Sequence, residues 1–286
     1  MLETKGEKIF NIVNNLLMFL LSALMILPFI HIIAKSFSTD AYVMAREVTL
    51  WPLGFQLGAY KHILGNYQFA RSFLNTVFIT VVGTSIGMLF TIMAGYTVSR
   101  KGIPLVRGIM VLFIITMFFS GGMVPAFLLI KNIGLYDSLW AVILVMSVSS
   151  YNLIIMKTFI QGIPDSLEES ARIDGASTLR VLFQIIIPLS KPVIATLSLF
   201  YAVAYWNDYF NSLLFIRKRI NIPLQLYMRD LIVDSKGLDT FDQLSDTATE
   251  SIKAAVIIVA MTPILMVYPF VQKYFVKGIM IGAVKG

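Results

Sequence analysis

The residues of this chain whose types and spacing could do chemistry lie in three short clusters. Glu168, Glu169, Ser170, Ala171, Asp174, Gly175 and Ala176 crowd into one polar stretch between Pro164 and Pro192, PDSLEESARIDGASTLRVLFQIIIPLSKP. Ser147, Ser149, Ser150, Tyr151 and Asn152 form a polar knot inside an apolar run, and Tyr205, Trp206, Asn207, Asp208 and Asn211 form another. Aromatic faces beside amides and a carboxylate suit a sugar, whose C–H face stacks on a ring while its hydroxyls take hydrogen bonds. With 0 cysteines, disulfides, thiolate catalysis and thiolate-held metals are excluded, and His31 and His62 are not spaced as a metal pair. No G-x-x-x-x-G-K-[ST] loop is present to cradle nucleotide phosphates. No metal, no cofactor and no enzymatic activity are therefore expected of this chain.

The elements that must position these clusters are membrane spans. Of 286 residues 57% are hydrophobic and the mean hydropathy is +0.80, more apolar surface than a soluble core can hide. The net charge of +7 is read as basic loops beside anionic lipid, with no nucleic acid partner. Six apolar runs are long enough to cross a bilayer: about 12–33, 73–98, 108–130, 139–160, 192–216 and 254–275. The first lacks a small-residue cleavage site and reads as a retained span that Pro28 kinks. The second holds Gly83 and Gly87 in a G-x-x-x-G spacing that lets a neighbouring helix approach closely. Gly121, Gly122 and Pro125 interrupt the third, as a gate or as a packing kink. Pro263 and Pro269 are expected to break the sixth, and the glycines of the tail at 276–286 argue against a helix there.

The polar knot of the fourth run must turn inward, either to bond between helices or to wet a pathway. At ~1.5 Å per residue from Pro192, Asp208 stands about 24 Å along the fifth, lining a ligand path or closing a polar helix end. Between Lys35 and Arg71 a mixed stretch with Tyr42, Trp51, Phe55 and Tyr60 suits an extracytoplasmic segment lying at the interface. Residues 217–253 read as a second outer loop with an amphipathic piece near 224–232. The loop Arg100–Gly108 carries three basic residues and no acid, which places it in the cytoplasm together with both termini. The basic bias summed over the whole chain is weak, so this topology rests on local density and on the polar stretch.

That stretch, 164–188, reads as two short helices joined by a glycine turn. Pro164 stops the apolar run, Ser166 and Glu169 have capping-box spacing, and Gly175 sits where a left-handed terminator belongs. Ser177 or Thr178 can cap the second helix, in which Leu179, Leu182, Phe183 and Ile186 give one apolar side that can lie against a bundle. The first helix carries too much charge for lipid, while Leu167, Ala171 and Ile173 can fill a shallow groove on another protein.

Glu169-Ser170-Ala171, then Gly175, then Ile185-x-Ile187-Pro188 resembles the cytoplasmic EAA loop of the permeases of binding-protein-dependent ABC importers, in its carbohydrate form E-[AS]-A-x-x-D-G-A. Ser170 stands for the usual second alanine and Ile187 for the usual leucine. The end of the second run, Gly95-Tyr96-Thr97-Val98-Ser99-Arg100, is similar to the A-Y-x-[LV]-[SA]-R ending of these permeases, and the GAVKG tail to their glycine-rich terminus. The phrase FFSGGMVPAFLLIKNIGLYDSLWA resembles the branch serving complex, often uronate-containing, oligosaccharides.

The resemblance implies an all-α integral membrane protein of the bacterial cytoplasmic membrane, with six transmembrane helices in the type I ABC importer permease fold and a core at 70–275. It implies that Glu168, Glu169, Ser170, Ala171, Asp174, Gly175 and Ala176 couple to two ATP-binding cassette subunits, which carry the ATP and Mg. It further implies a homologous second permease and an extracytoplasmic solute-binding protein, with part of the 35–71 segment serving to dock the latter. Ser149, Tyr151, Asn152, Tyr205, Trp206, Asn207, Asp208 and Asn211 are the candidates for a substrate path. An importer permease for a non-sugar solute is the nearer alternative. A secondary transporter or channel is the more distant one, and would need intramembrane charge pairs or inverted halves, where this chain has one plausible intramembrane acid and no obvious inverted repeat.

Overall fold

The computed structural model describes residues 4–100, 102–103, 105–233 and 249–283, and every regular element among them is a helix. Lys101 of the basic loop, residues 234–248 of the loop expected at 217–253, and the last three residues of the tail lie outside the described residues. In chain order the helices are α1 (Lys5–Ser36), α2 (Asp40–Met44), α3 (Gly58–Gly65), α4 (Tyr67–Ser99), α5 (Val106–Phe118), α6 (Met123–Asn132) and α7 (Leu139–Met146). They continue with α8 (Ser150–Gln161), α9 (Asp165–Ile173), α10 (Thr178–Leu189), α11 (Lys191–Trp206), α12 (Phe210–Phe215), α13 (Leu224–Val233) and α14 (Glu250–Ala283).

Among the described residues α1, α4 and α14 are each long and apolar enough to cross a membrane, and three bent pairs bring the number to six if each pair is one span. The pairs are α5 with α6, bent by 114°, α7 with α8, by 46°, and α10 with α11, by 81°. Gly122, at φ 88, opens α6 after the first of these breaks. Ser149 opens α8, its hydroxyl accepting from the Asn152 N–H. The run expected as one span from 192 to 216 is instead α11 and α12, interrupted at 207–209. Short polar side chains there take the backbone donors that a continuous helix would have used.

The expected breaks at Pro263 and Pro269 do not occur, and the tail expected to be irregular is helical as far as Ala283. An unmet peptide group in hydrocarbon costs several kcal/mol, as much as the roughly 3 kcal/mol a proline costs a helix or more. Continuing the helix through both prolines is therefore the lesser cost. Pro28 likewise lies inside an unbroken α1.

The chain divides into two compact units, one built on residues up to Ala70 with Met228–Thr262, the other on Arg71–Tyr227 and the chain from Pro263. In the first, α1 starts from a true capping box, in which the Thr4 hydroxyl accepts from the Glu7 N–H while the Glu7 carboxylate accepts from the Thr4 N–H. Beyond α1 the chain folds over itself. Phe37 stacks on Phe55 and Tyr60, with ring centroids 5.5 and 4.9 Å apart, and Tyr60 shares a hydrogen bond with Ser36. Trp51 and Phe55 remain exposed, as a side chain lying at an interface would be.

In the second unit a pair of tyrosines clasps α4, α7, α8 and α11. Tyr201 and Tyr205, one turn apart on α11, have ring centroids 6.4 Å apart. A Cβ added at Gly83 would come within 2.5 Å of the Tyr205 ring, and one at Gly87 within 2.9 Å of the Tyr201 ring. The G-x-x-x-G pair thus makes room for two rings. The Tyr205 hydroxyl donates to the Ile143 carbonyl at 2.7 Å, and the Tyr201 oxygen accepts from the Ser149 N–H at 3.2 Å and shares a hydrogen bond with the Thr91 hydroxyl at 2.8 Å. Both backbone groups are orphans of the break between α7 and α8, because the Ser147 N–H bonds Leu144 O and Ser149 precedes the first turn of α8. Elsewhere in this unit the Asp137 carboxylate accepts from the N–H groups of Arg217 and Lys218, tying the turn before α7 to the end of α12. Burial works against its charge, but those donors and the Lys218 ammonium outweigh burial and hold the carboxyl below its ordinary pKa.

Gly83→Ala is expected to cost about 1–3 kcal/mol, as an overpacked core does, and to lower the melting temperature of the detergent-purified protein in fluorimetry. Gly108→Ala, where an added Cβ would meet nothing within 4 Å, is expected to be neutral or stabilising.

Candidate functional site

The charged hairpin of α9 and α10 is built by local signals. The Pro164 carbonyl accepts from the Leu167 N–H, so α9 starts at Asp165, and Asp165 and Glu168 fall in its first turn, where carboxylates suit the positive helix end. The expected capping box does not form. Starting on Pro164 puts Ser166 inside the first turn instead of ahead of it, and no side chain caps the helix. The other end follows the sequence reading: Gly175 has φ 80, with its N–H bonded to Arg172 O and that of Ala176 to Ala171 O. Ser177 caps α10 by accepting from the Arg180 N–H.

Within α10, Leu182–Ile186 widens to a π-turn, which keeps the carbonyl four residues before Pro188 clear of the proline ring. The covered side of α10 runs through Val181. Val181, Leu182 and Ile186 are buried, but Leu179 and Phe183, expected on the same apolar side, are 64% and 60% exposed. On α9 Ile173 is 86% exposed and Leu167 is exposed as well. Glu169, Ser170, Asp174 and Gly175 are open to the surroundings, and Ala171 and Ala176 are half-buried.

Glu168 differs from the rest of the cluster. Its residue is only 7% exposed, and its carboxylate points back at the end of α4. Oε1 accepts from the Tyr96 hydroxyl at 3.1 Å and from Arg172 Nη2 and Nε at 2.9 and 3.3 Å, while Oε2 pairs with Arg100 Nη1. The Arg100 guanidinium also lies over the Tyr96 ring, 4.0 Å from its centroid. Burial draws the pKa of Arg100 below its ordinary value, and Arg172 adds to this, against the Tyr96 hydroxyl and the Asp165 carboxylate, which favour the charge.

The candidates for a substrate path divide by what already occupies their polar atoms. Tyr205 is committed to Ile143 and Gly83, and Trp206 is buried edge-on against Phe73 at 5.9 Å. Ser149 and Asn152 form the cap of α8, with Asn152 buried. Asp208 is buried and accepts from the N–H of Asn211 and Ser212, the Asn211 amide and the Ser212 hydroxyl. It is the carboxylate that opens α12. Tyr151 is 55% exposed with its ring 6.4 Å from Phe200, and Asn207 is exposed with its amide on Val203 O. Thr116 and Ser150 share a hydrogen bond.

Sequence reasoning missed Tyr96, Arg100 and Tyr201. A signal existed for the last: tyrosines four apart at 201 and 205 match the four-residue spacing of Gly83 and Gly87. The ending Gly95–Arg100 is a recognisable pattern, but nothing local says that its partner stands at Glu168.

Long apolar helices, bent spans pinned at mid-run and a charged helical hairpin together describe a membrane-embedded permease. Residues 87–281 match the family of binding-protein-dependent transport system inner membrane components, and the chain belongs to that family, whose members are permeases and not enzymes. It is 45% identical to the polygalacturonan/rhamnogalacturonan transport system permease protein YtcP of Bacillus subtilis (strain 168), over 95% of this chain and 96% of that one. It is 44% identical to Protein LplC of the same organism, over 99% of this chain and 97% of that one. Among solved structures it matches a chain of a bacterial ABC transporter involved in the import of the acidic polysaccharide alginate, with TM-score 0.89, 33% identity, and coverage of 96% of this chain and 99% of that one. The type I permease fold expected from the sequence is the fold of this chain.

A side chain at Gly175 must adopt the left-handed conformation at about 1–2 kcal/mol. Gly175→Val is therefore expected to speed tryptic cleavage at Arg172 and Arg180 about tenfold in membrane vesicles, through more frequent local opening. Gly175→Asn should stay near the wild-type rate.

Proposed function

We propose that this chain is one transmembrane half of an ATP-driven importer that moves a uronate-containing oligosaccharide across the bacterial cytoplasmic membrane. The observation that carries the reading is similarity along nearly the whole chain to two permeases whose names point to acidic polysaccharides, polygalacturonan/rhamnogalacturonan in one case and alginate in the other. The α9–α10 hairpin lies on the cytoplasmic side with both termini, and the segment at 35–71 lies outside, where the solute-binding protein docks. Two ATP-binding cassette subunits, holding ATP and Mg, grip α9 by Glu169, Ser170, Ala171, Asp174, Gly175 and Ala176. Their closure displaces α9, and the buried side of α10, Val181, Leu182 and Ile186, passes the displacement to the spans. A homologous second permease completes the pathway.

Sugar contact falls to Tyr151 and Asn207, which are exposed, since Asp208 and Tyr205 are buried with their polar atoms taken inside the chain. Exposed apolar side chains on both arms of the hairpin, Ile173, Leu179 and Phe183, are what a docking surface would present and water would not favour.

The test is reconstitution of the four-subunit complex with its solute-binding protein in proteoliposomes. ATP-dependent uptake of an oligogalacturonate is expected, maltotriose should be carried poorly, and Tyr151→Ala should cut uptake about tenfold by removing a stacking face. Uptake by this chain without ATP or partners would make it a secondary transporter instead.

A further inference from the structure

Two motifs far apart in the chain meet at one carboxylate. Tyr96 and Arg100 end α4, Glu168 lies in the first turn of α9, and the intervening residues include two whole bent spans. Glu168 is the buried member of a cluster whose other charged residues, Glu169 and Asp174, are exposed. A carboxylate that is 7% exposed, with one oxygen hydrogen-bonded inside the chain and the other buried and ion-paired to Arg100, has little left to offer another protein.

The two kinds of contact to Glu168 are not equivalent in a moving molecule. Arg172 stands one turn along the same helix and travels with Glu168 wherever α9 goes. Tyr96 lies in the last turn of α4 and Arg100 directly follows that helix. Of the three partners of Glu168, these two are the ones that resist a relative displacement of α9 and α4. The Arg100 guanidinium is itself fixed from a second direction by the Tyr96 ring at 4.0 Å, and its Nε and Nη2 are buried with no hydrogen-bond partner. The cation therefore depends on Glu168, with the Tyr96 ring and the Asp165 carboxylate beside it, to offset its desolvation. Such a contact is costly to stretch and favours motion of both helices as one body.

We propose that Glu168 is a positioning residue and not an ATPase contact: held by Tyr96 and Arg100, it makes α4 follow α9, so that part of the stroke enters the membrane through α4. This rests on the reading of α9 as the helix gripped by ATPase subunits.

The experiment uses the complete complex in proteoliposomes, with Glu168→Gln, Tyr96→Phe, and Glu168→Gln combined with Arg100→Gln. It measures ATPase subunits retained on purification, and oligogalacturonate taken up per ATP hydrolysed. A purely structural defect lowers uptake and hydrolysis together, and leaves their ratio alone. The expected result is full retention of the ATPase subunits with Glu168→Gln and uptake per ATP reduced about tenfold, within the range of ordinary coupling energies. Tyr96→Phe, which keeps the ring and removes only the hydroxyl, should shift the ratio the same way by a smaller factor. The double variant should be no worse than Glu168→Gln, because both changes open one contact. Loss of the ATPase subunits in Glu168→Gln alone would make Glu168 a docking residue and overturn the inference while leaving the docking reading intact. A wild-type ratio in Glu168→Gln, or an additive double variant, would also overturn it. A wild-type complex that retains no ATPase would remove the docking reading itself, and this inference with it.

Discussion

Where a helix breaks inside hydrocarbon, its freed backbone groups have no water to turn to, and some other part of the protein must meet them. The break between α7 and α8 frees the Ile143 carbonyl and the Ser149 N–H, and the hydroxyls of Tyr205 and Tyr201 meet both. An unmet peptide group costs several kcal/mol in this setting, whereas a bend without the tyrosines would leave two. The bend therefore depends on α11 keeping its distance from α7 and α8, and that distance is set by how deeply two rings sink onto α4. Only hydrogen fits at Gly83 and Gly87. Four segments are thus held by a contact whose specificity lies in two absent methyl groups.

The charged hairpin shows the same principle with ions. Burying a carboxylate and a guanidinium costs several kcal/mol each before they attract one another. The excess is met here by spreading the negative charge over two donors and an ion pair: Tyr96 and Arg172 share one oxygen by hydrogen bonds, and Arg100 pairs with the other. Such a site does little for net stability compared with a well-packed apolar one, but removing one partner leaves the others charged or polar and buried. It specifies geometry. The exposed residues Glu169, Ser170 and Asp174, by contrast, sit on a helix whose ends are set by the carbonyl of Pro164 and the turn at Gly175.

Much of this was legible in the residues, and the exceptions share a cause. Gly175 as a left-handed terminator, Ser177 as a cap, the interruption at Gly121 and Gly122 and the amphipathic piece near Leu224 depend on neighbours within one or two turns, and they appear where expected. The failed readings depend on competition between local signals and distant ones. Ser166 and Glu169 have the right spacing for a box, but the helix starts earlier. Leu179 and Phe183 fit a regular helical stripe with Leu182 and Ile186, but the packed side runs through Val181 and leaves those two exposed. Pro263 and Pro269 are breakers in water, where a freed peptide is solvated, and weaker breakers in a long apolar helix, where it is not. Asp208 reads alike from sequence as a ligand group or a helix cap; its four donors, all within residues 211–212, are visible only in three dimensions.

The two nodes have one member in common. Helix α4 receives the tyrosine rings at Gly83 and Gly87, lies against Met156 of α8 at Gly95, where a Cβ would come within 2.6 Å, and carries Tyr96 and Arg100 at its end. It is an unbroken 33-residue helix, while α5 to α8 and α11 to α12 are interrupted. A rod contacting the break at one level and the charged hairpin at another is suited to carry displacement between them, because a continuous helix bends little over one or two turns. The magnitudes are compatible. Shifting a two-state equilibrium from 1:99 to 99:1 takes about 5.5 kcal/mol, and removing one partner of a buried ion pair costs about 3–5 kcal/mol. A contact much weaker would slip before the spans rearranged, and one much stronger would lock the hairpin to α4 through every stage of a cycle. In the proposed function, α9 is a helix with two faces: an exposed one offered to a partner, and a buried one, built on a single carboxylate, that ties it to α4.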